Sequence, residues 1–396
     1  MTQDFTPMVA HSAPAPERTR LAVAFTGSGW EYFRIWLVNL VLTVLTLGIY
    51  YPWARVRKLR YIYANTTVDG DALTYHATGW QLFKGMVVAG LIFGAINLMA
   101  ALAPALAVLS GLAFWLLLPW FWSSAMRFRL RQSSWRGVRF GFRGSIGGAY
   151  SALGGGALVL IASLVAVALS LTWVEGGGAS PAMVLLLSAG GAAAVAAAWS
   201  LLVLRMRRYQ HNHYAFGDLT VTMDVTWSQV WRASLAGLLV GGLLFVVLVA
   251  VGILGLAGVG SLINDSVSER EQGAIAGLAI LWVLGLIYLT YPLVTAYVGA
   301  RYQNLFWGAT RHRLLQVHSD LSPWRLVGLV LVNLILTALT LGLYWPFAAV
   351  KVLRLRLAAM SLESELDWAG VHAVATAGNN SLGDMAMEVE GVDFGF

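Results

Sequence analysis

The stretch VNLVLTVLTLGIYYPWARVRKLR at residues 38–60 returns near the other end of the chain as VNLILTALTLGLYWPFAAVKVLR at residues 332–354. The offset is a constant 294, and fifteen of the twenty-three positions are identical. Chance does not produce that, so the two ends carry copies of one element. Asn39, Thr43, Thr46 and Tyr50 lie at i, i+4, i+7 and i+11, on one helix face. Asn333, Thr337, Thr340 and Tyr344 repeat the stripe. Polar groups on an apolar helix are costly against lipid, so the stripes are expected to face protein or a wet cavity. Pro52 and Pro346 each follow a glycine, Gly48 and Gly342, by four residues. A proline ring clashes with the carbonyl four residues back, and glycine there eases a bend. Each copy is therefore predicted to be a helix hinged at these residues as it meets a basic stretch, Arg55, Arg57, Lys58 and Arg60 in the first copy.

Between the copies the chain is apolar. Of its 396 residues 58% are hydrophobic and only 11% charged, with a mean hydropathy of +0.70. Soluble domains carry about 25% charged residues, so this composition excludes a soluble enzyme, a nucleic-acid-binding domain and a secreted disulfide scaffold. Segments long enough to span a bilayer, about 20 residues, lie at 82–103, 105–126, 150–173, 182–204, 229–260 and 274–298. The duplicated segments 33–51 and 324–345 flank them. Loops at 104, 175–181 and 264–273 hold one basic residue, Arg270, while the other twenty-five bases lie in the opposite connections or flanks. The positive-inside rule puts the basic connections in the cytoplasm. That topology strains at 324–345: a full crossing would carry Lys351, Arg354 and Arg356 outside. Both copies are therefore expected to be broken or re-entrant.

The basic connections resemble one another. RYIYANTTVDGDALTYHATG from Arg60, RFRLRQSSWRGVRFGFRG from Arg127, RRYQHNHYAFGDLTVTMD from Arg207 and, more loosely, ARYQNLFWGATRHRLLQ from Ala300 each place Asn or Gln five residues before Gly. The pairs are Asn65/Gly70, Gln132/Gly137, Asn212/Gly217 and Gln303/Gly308. A short alternating segment such as 219–223 follows and reads as a strand. The fold expected is an all-α polytopic membrane protein, a tandem-repeat helical bundle with short cytoplasmic β strands. Residues 1–20 read as a disordered tail without a signal peptide, 21–360 as the membrane domain, and 361–396 as an acidic disordered tail. After Arg356 there are seven acids and no Lys or Arg, against a net +14 up to that point.

The chain resembles the YjgN-like family of bacterial inner-membrane proteins, a domain family of unknown function. The residues that carry the likeness are FTGSGWEYF at 25–33, the run from Asn39 to Arg60, Asn65-Thr66-Thr67, Asp69-Gly70 and Tyr75-His76. The resemblance covers residues 21–360 and implies a multi-pass protein of the bacterial inner membrane. It supplies no substrate, catalytic residue or cofactor. The second copy departs from the first at Ala349 and Val352, where Arg55 and Lys58 stand.

Searches for chemistry return little. There is no P-loop, nucleophile elbow or H-E-x-x-H, and zero Cys excludes thiolate sites. His211 and His213 read as a solvated or interfacial pair rather than a metal site, and Asp69 and Asp71 as a turn. Gly90/Gly94, Gly237/Gly241 and Gly273/Gly277 read as helix packing. Neither enzyme activity, cofactor, metal nor nucleic acid is expected. Membrane lipids, especially anionic ones at Arg55, Arg57, Lys58 and Arg60, are the expected partners. Two functions stay open. One is transport or flipping of a neutral or lipid-like solute along the Asn/Thr/Tyr stripes. The other is a non-transporting scaffold or sensor of anionic lipid, with the stripes as interhelical glue.

Overall fold

The computed structural model describes residues 19–174, 180–262 and 269–365. The elements follow one order five times, strand, helix, helix, strand. The first segment is β1 (Thr19–Phe25), α1 (Gly29–Leu45), α2 (Tyr51–Ala64) and β2 (Thr66–Val68). The second is β3 (Asp71–Tyr75), α3 (Gly79–Leu102), α4 (Pro104–Arg131) and β4 (Ser133–Trp135). The third is β5 (Val138–Phe142), α5 (Ile146–Trp173), α6 (Pro181–Asn212) and β6 (Tyr214–Phe216). The fourth opens with a strand broken at Val221, β7 (Leu219–Thr220) and β8 (Thr222–Met223), before α7 (Trp227–Leu262), α8 (Glu269–Gly308) and β9 (Thr310–His312). The fifth is β10 (Leu315–Ser319), α9 (Pro323–Leu339), α10 (Trp345–Ala358) and β11 (Met360–Ser364).

All strand pairs are antiparallel, and they close on themselves into a barrel-like sheet. Hairpins join β2 to β3, β4 to β5, β6 to β7 and β9 to β10. The two chain ends meet where β1 pairs with β11, Thr19 opposite Ser364. The broken strand bonds β6 through its first half and β9 through its second, which leaves the ring without a long open edge. Two of the hairpins turn on residues with positive φ at both central positions, Asp69-Gly70 and Arg136-Gly137, the geometry that matches strand twist. Strands this short cannot bury a core alone. Instead the apolar clusters sit where the second helix of one segment meets the first helix of the next. Examples are Val56, Tyr75 and Leu82 at the first junction and Phe25, Tyr32 and Val350 where the fifth meets the first.

One hydrogen bond marks every junction. A side chain on the second helix donates to the carbonyl two residues before the next segment's first helix: Arg60 to Ala77 (2.8 Å), Arg127 to Gly144 (2.8 Å), Arg208 to Val225 (2.7 Å) and Asn304 to Leu321 (2.8 Å). Arg354 completes the circle by donating to Gly27 across the chain ends at 2.8 Å. With α10 against α1, the helices form a ring above the sheet.

Six helices, α3 to α8, are long and apolar enough to cross a membrane, as the composition predicts. Segments 33–51 and 324–345 behave differently. Helices α1 and α2 pack against each other, as do α9 and α10, and both outer ends of each pair run into the same sheet. They enter and return. The 17 residues of α1 reach about 25 Å at 1.5 Å per residue, short of a hydrocarbon core of about 30 Å. Trp30, Trp80, Trp227 and Trp324 stand exposed at the first or second residue of α1, α3, α7 and α9, the level expected of an interfacial aromatic belt.

Several expectations need correction. Each connection is a two-stranded hairpin rather than a turn followed by one strand, because strands must pair to satisfy their backbones. Residues 19 and 20 belong to β1 and residues 361–364 to β11, so ring closure takes both chain ends into the sheet; the remainder of each tail lies outside the described residues. The fourth Asn/Gln–Gly pair fails: Gln303 and Gly308 both lie within α8, and the hairpin turn falls later, at 313–314. Of the glycine pairs only Gly237 and Gly241 make a close contact, against Val298 and Val294 of α8.

Candidate functional site

The first hairpin, α3 and the start of α10 enclose a cavity of about 1190 Å³. Part of its wall is apolar, with Leu40, Leu82, Met86, Ala89 and Phe93. The lining also carries three cations, Arg55 and Lys58 from α2 and Arg129 from α4, and no Asp or Glu. Lys58 also lies over the Trp345 ring, 5.4 Å from the centroid. Partial burial, and then the Arg55 charge, hold the Lys58 ammonium below the usual lysine range. Apolar side chains beside three cations suit an amphipathic molecule with an acid group.

The four basic residues expected to meet lipid headgroups thus separate. Arg55 and Lys58 face the cavity, Arg57 is exposed on the helix surface, and Arg60 makes the junction bond to Ala77. Sequence reasoning missed Arg129. The repeat gave no signal for it: with Arg127 matched to Arg60 as junction donors, Arg129 falls where the first segment has Ile62.

The polar stripes divide too. Asn39 and Thr43 line the cavity, and Asn39 is buried with its Nδ2 donating to the Ala54 carbonyl at 3.1 Å, across the hairpin. The Thr43 hydroxyl bonds the Asn39 carbonyl of its own helix at 2.6 Å. Thr46 builds the hairpin tip: its Oγ1 donates to the Leu42 carbonyl (2.7 Å) and accepts from the Tyr50 amide (3.0 Å). Thr340 does the same between Leu336 and Tyr344, at 2.7 and 3.0 Å. Tyr344 accepts from the Lys351 ammonium at 2.6 Å. Asn333 is buried at 4% exposure, and neither amide atom has a hydrogen-bond partner. Of the second copy only Trp345 reaches the cavity.

Gly48, Pro52, Gly342 and Pro346 make a reversal where a kink was expected. At the end of α1 the Gly48 amide bonds the Thr43 carbonyl and the Leu47 amide bonds that of Val44, a Schellman pattern that satisfies the free helix end. Leu47 and Gly48 take φ of 52° and 91°, and Leu341 and Gly342 take 49° and 91°. Pro52 and Pro346 then sit at the second residue of α2 and α10, where no amide is needed. Both tip leucines are 94% exposed, so each hairpin ends in an uncovered apolar tip with its backbone satisfied.

The remaining chemistry-bearing residues are structural. His211 is buried rather than solvated, its Nδ1 2.7 Å from Thr310 Oγ1, while His213 is half-buried and bonds the Tyr209 carbonyl at 2.7 Å. Asp69 and Asp71 flank a turn as expected and both meet Arg136. Among the described residues no group of three His, Asp or Glu gathers at metal-binding range.

Against this geometry stand the comparisons with known proteins. The family model described as "Bacterial protein of unknown function (DUF898)" matches residues 20–389. A protein named Inner membrane protein YjgN, from Salmonella typhimurium strain LT2, is 27% identical over 360 residues, covering 87% of this chain and 89% of its own. The protein of that name from Escherichia coli O157:H7 is 36% identical over 127 residues, 32% of each chain. No solved structure matches. With the six apolar helices, these relatives identify a multi-pass protein of the bacterial inner membrane.

Proposed function

The chain belongs to the DUF898 family of bacterial proteins of unknown function, and on that premise we propose that it moves an amphipathic, lipid-like solute along the cavity beside its first hairpin, without catalysing a reaction. We read the five strand–helix–helix–strand segments as a tandem repeat in which the two terminal units stop short of a full crossing. The cavity carries the reading: about 1190 Å³ of space with apolar side chains beside three cations, next to a hairpin with an uncovered apolar tip. A tail can enter from the lipid while its head meets Arg55, Lys58 and Arg129. Asn39 and Thr43 supply the polar lining between them.

A second reading, a non-transporting scaffold or sensor of anionic lipid, draws on a different observation. The hydroxyls of Thr43, Thr46 and Thr340 are engaged by carbonyls of their own helices, which is what structural glue requires. The two readings separate in proteoliposomes. With a fluorescent lipid in one leaflet, the wild-type protein is expected to speed its exchange, and Gly90→Trp, which fills the cavity, to abolish that while the protein stays folded. No acceleration by the wild type, with anionic lipid still retained in native mass spectrometry, would favour the scaffold.

A further inference from the structure

The inner face of the ring holds two further cations, Arg207 and Arg356, neither of which lines the cavity. Arg207 of α6 lies over the Phe306 ring of α8, 5.8 Å from its centroid, and Arg356 of α10 bonds Gln303, one helical turn earlier on the same helix. They come from the third and fifth segments, which are not neighbours, and both meet α8 of the fourth. Tyr302 of α8 and Tyr214 of β6 share the surroundings of Arg207.

Neither guanidinium is held by an acid. Arg207 Nη1 donates to the Gln210 Oε1 at 3.2 Å, and Arg356 Nε donates to the Gln303 Oε1 at 2.8 Å. Gln303 also donates back to the Arg356 carbonyl at 2.9 Å, which fixes that side chain from both ends. The two glutamines are buried, at 6% and 5% exposure, while both arginines remain exposed. Among the described residues neither arginine forms an ion pair. Each is thus positioned by a neutral amide, and Arg207 also by the Phe306 ring, contacts that place no negative charge against either guanidinium. Desolvation, together with Arg207, holds Arg356 below its ordinary value, the sign of a cation set in unfavourable company. Two fixed, accessible guanidiniums of like charge are the arrangement that an oxyanion relieves, accepting from both forks.

We propose that the inner face of the ring binds a phosphate-type oxyanion, free or as the headgroup of a lipid, between Arg207 and Arg356. The test uses the full chain in phosphatidylcholine nanodiscs, titrated with inorganic phosphate at constant ionic strength and read by calorimetry. Saturable binding is expected, weakened about tenfold or more by Arg207→Gln or Arg356→Gln, since a hydrogen bond to a charged group contributes about 1.5–3 kcal/mol. Gln210→Glu guards against misfolding: it keeps the acceptor for Arg207 but neutralises it internally, and should weaken phosphate similarly at unchanged thermal stability. Nanodiscs containing phosphatidylglycerol identify the source. If that lipid competes with phosphate, the natural anion is a headgroup; if it does not, a free ion. No saturable phosphate binding in either disc, or wild-type affinity in both the Arg207→Gln and the Gln210→Glu proteins, would overturn the proposal.

Discussion

The two terminal hairpins share a backbone and differ in what they present. Both end the first helix with the same Schellman bonds, carry a leucine at φ near 50° before a glycine at 91°, and bury a proline at the start of the second helix. Yet α2 lines the cavity with Arg55 and Lys58, while the matching Ala349 and Val352 of α10 pack into apolar clusters. Asn39 ties its hairpin together, and Asn333, at the same position, has no partner. Tip chemistry sets the re-entrant shape in both. Two positions one helical turn apart give the first hairpin cations where the second carries apolar side chains.

The sharpest way to break the comparison is to give the first hairpin the residues of the second. Arg55→Ala with Lys58→Val should lose anionic-lipid retention in native mass spectrometry about tenfold or more, at about 1 kcal/mol per basic residue. The opposite graft, Ala349→Arg with Val352→Lys, should gain no lipid, because those positions open on core rather than cavity.

A smaller effect belongs to the tips. Gly48→Ala and Gly342→Ala should each destabilise by about 1–2 kcal/mol, the cost of a left-handed conformation for a residue with a Cβ. Thermal melting in detergent should show the two losses to be alike, since the turns are alike. Unequal losses would mean that the hairpins are held by different forces.

The asparagines are expected to move stability in opposite directions. Asn39→Leu removes a buried hydrogen bond and should cost about 1 kcal/mol, whereas Asn333→Leu removes two unpartnered polar atoms and should be neutral or stabilising by about the same amount. The double variant would hide both effects, so the single variants should be melted separately.

The smallest effect is a pH dependence. The Lys58 ammonium, held below the usual lysine range by burial and by Arg55, loses its charge earlier than a surface lysine as pH rises. Only the charged form attracts an acidic head, so wild-type lipid affinity should fall on the alkaline side before that of Lys58→Arg, whose guanidinium does not titrate there. Superimposable profiles would remove Lys58 from the headgroup contact.

Much of this protein is written in single-residue properties. Apolar length fixes the six crossings, because a helix must satisfy its backbone wherever no water reaches. The repeated 23 residues declare the twin hairpins. The Asn/Gln–Gly spacing found three of the four hairpin turns, since a left-handed turn needs glycine at a set distance from the helix end. It failed at Gln303 and Gly308 because that pair is out of register: α8 ends four residues past its junction donor Asn304, as its counterparts end past theirs, and the turn at 313–314 carries Arg313 and Leu314 in place of glycine. The candidate site was legible only in part: Arg55 and Lys58 were in view among four basic residues, and nothing in their spacing said which two would face a cavity. Ring closure lay beyond the sequence. That β1 meets β11, that Arg354 reaches Gly27, and that Arg207 and Arg356 both meet α8 are contacts between residues far apart along the chain. Local patterning reports what one helix or strand prefers. Which inner faces meet is decided only when five strand–helix–helix–strand segments, each unable to pair its strand edges alone, satisfy one another in a closed ring.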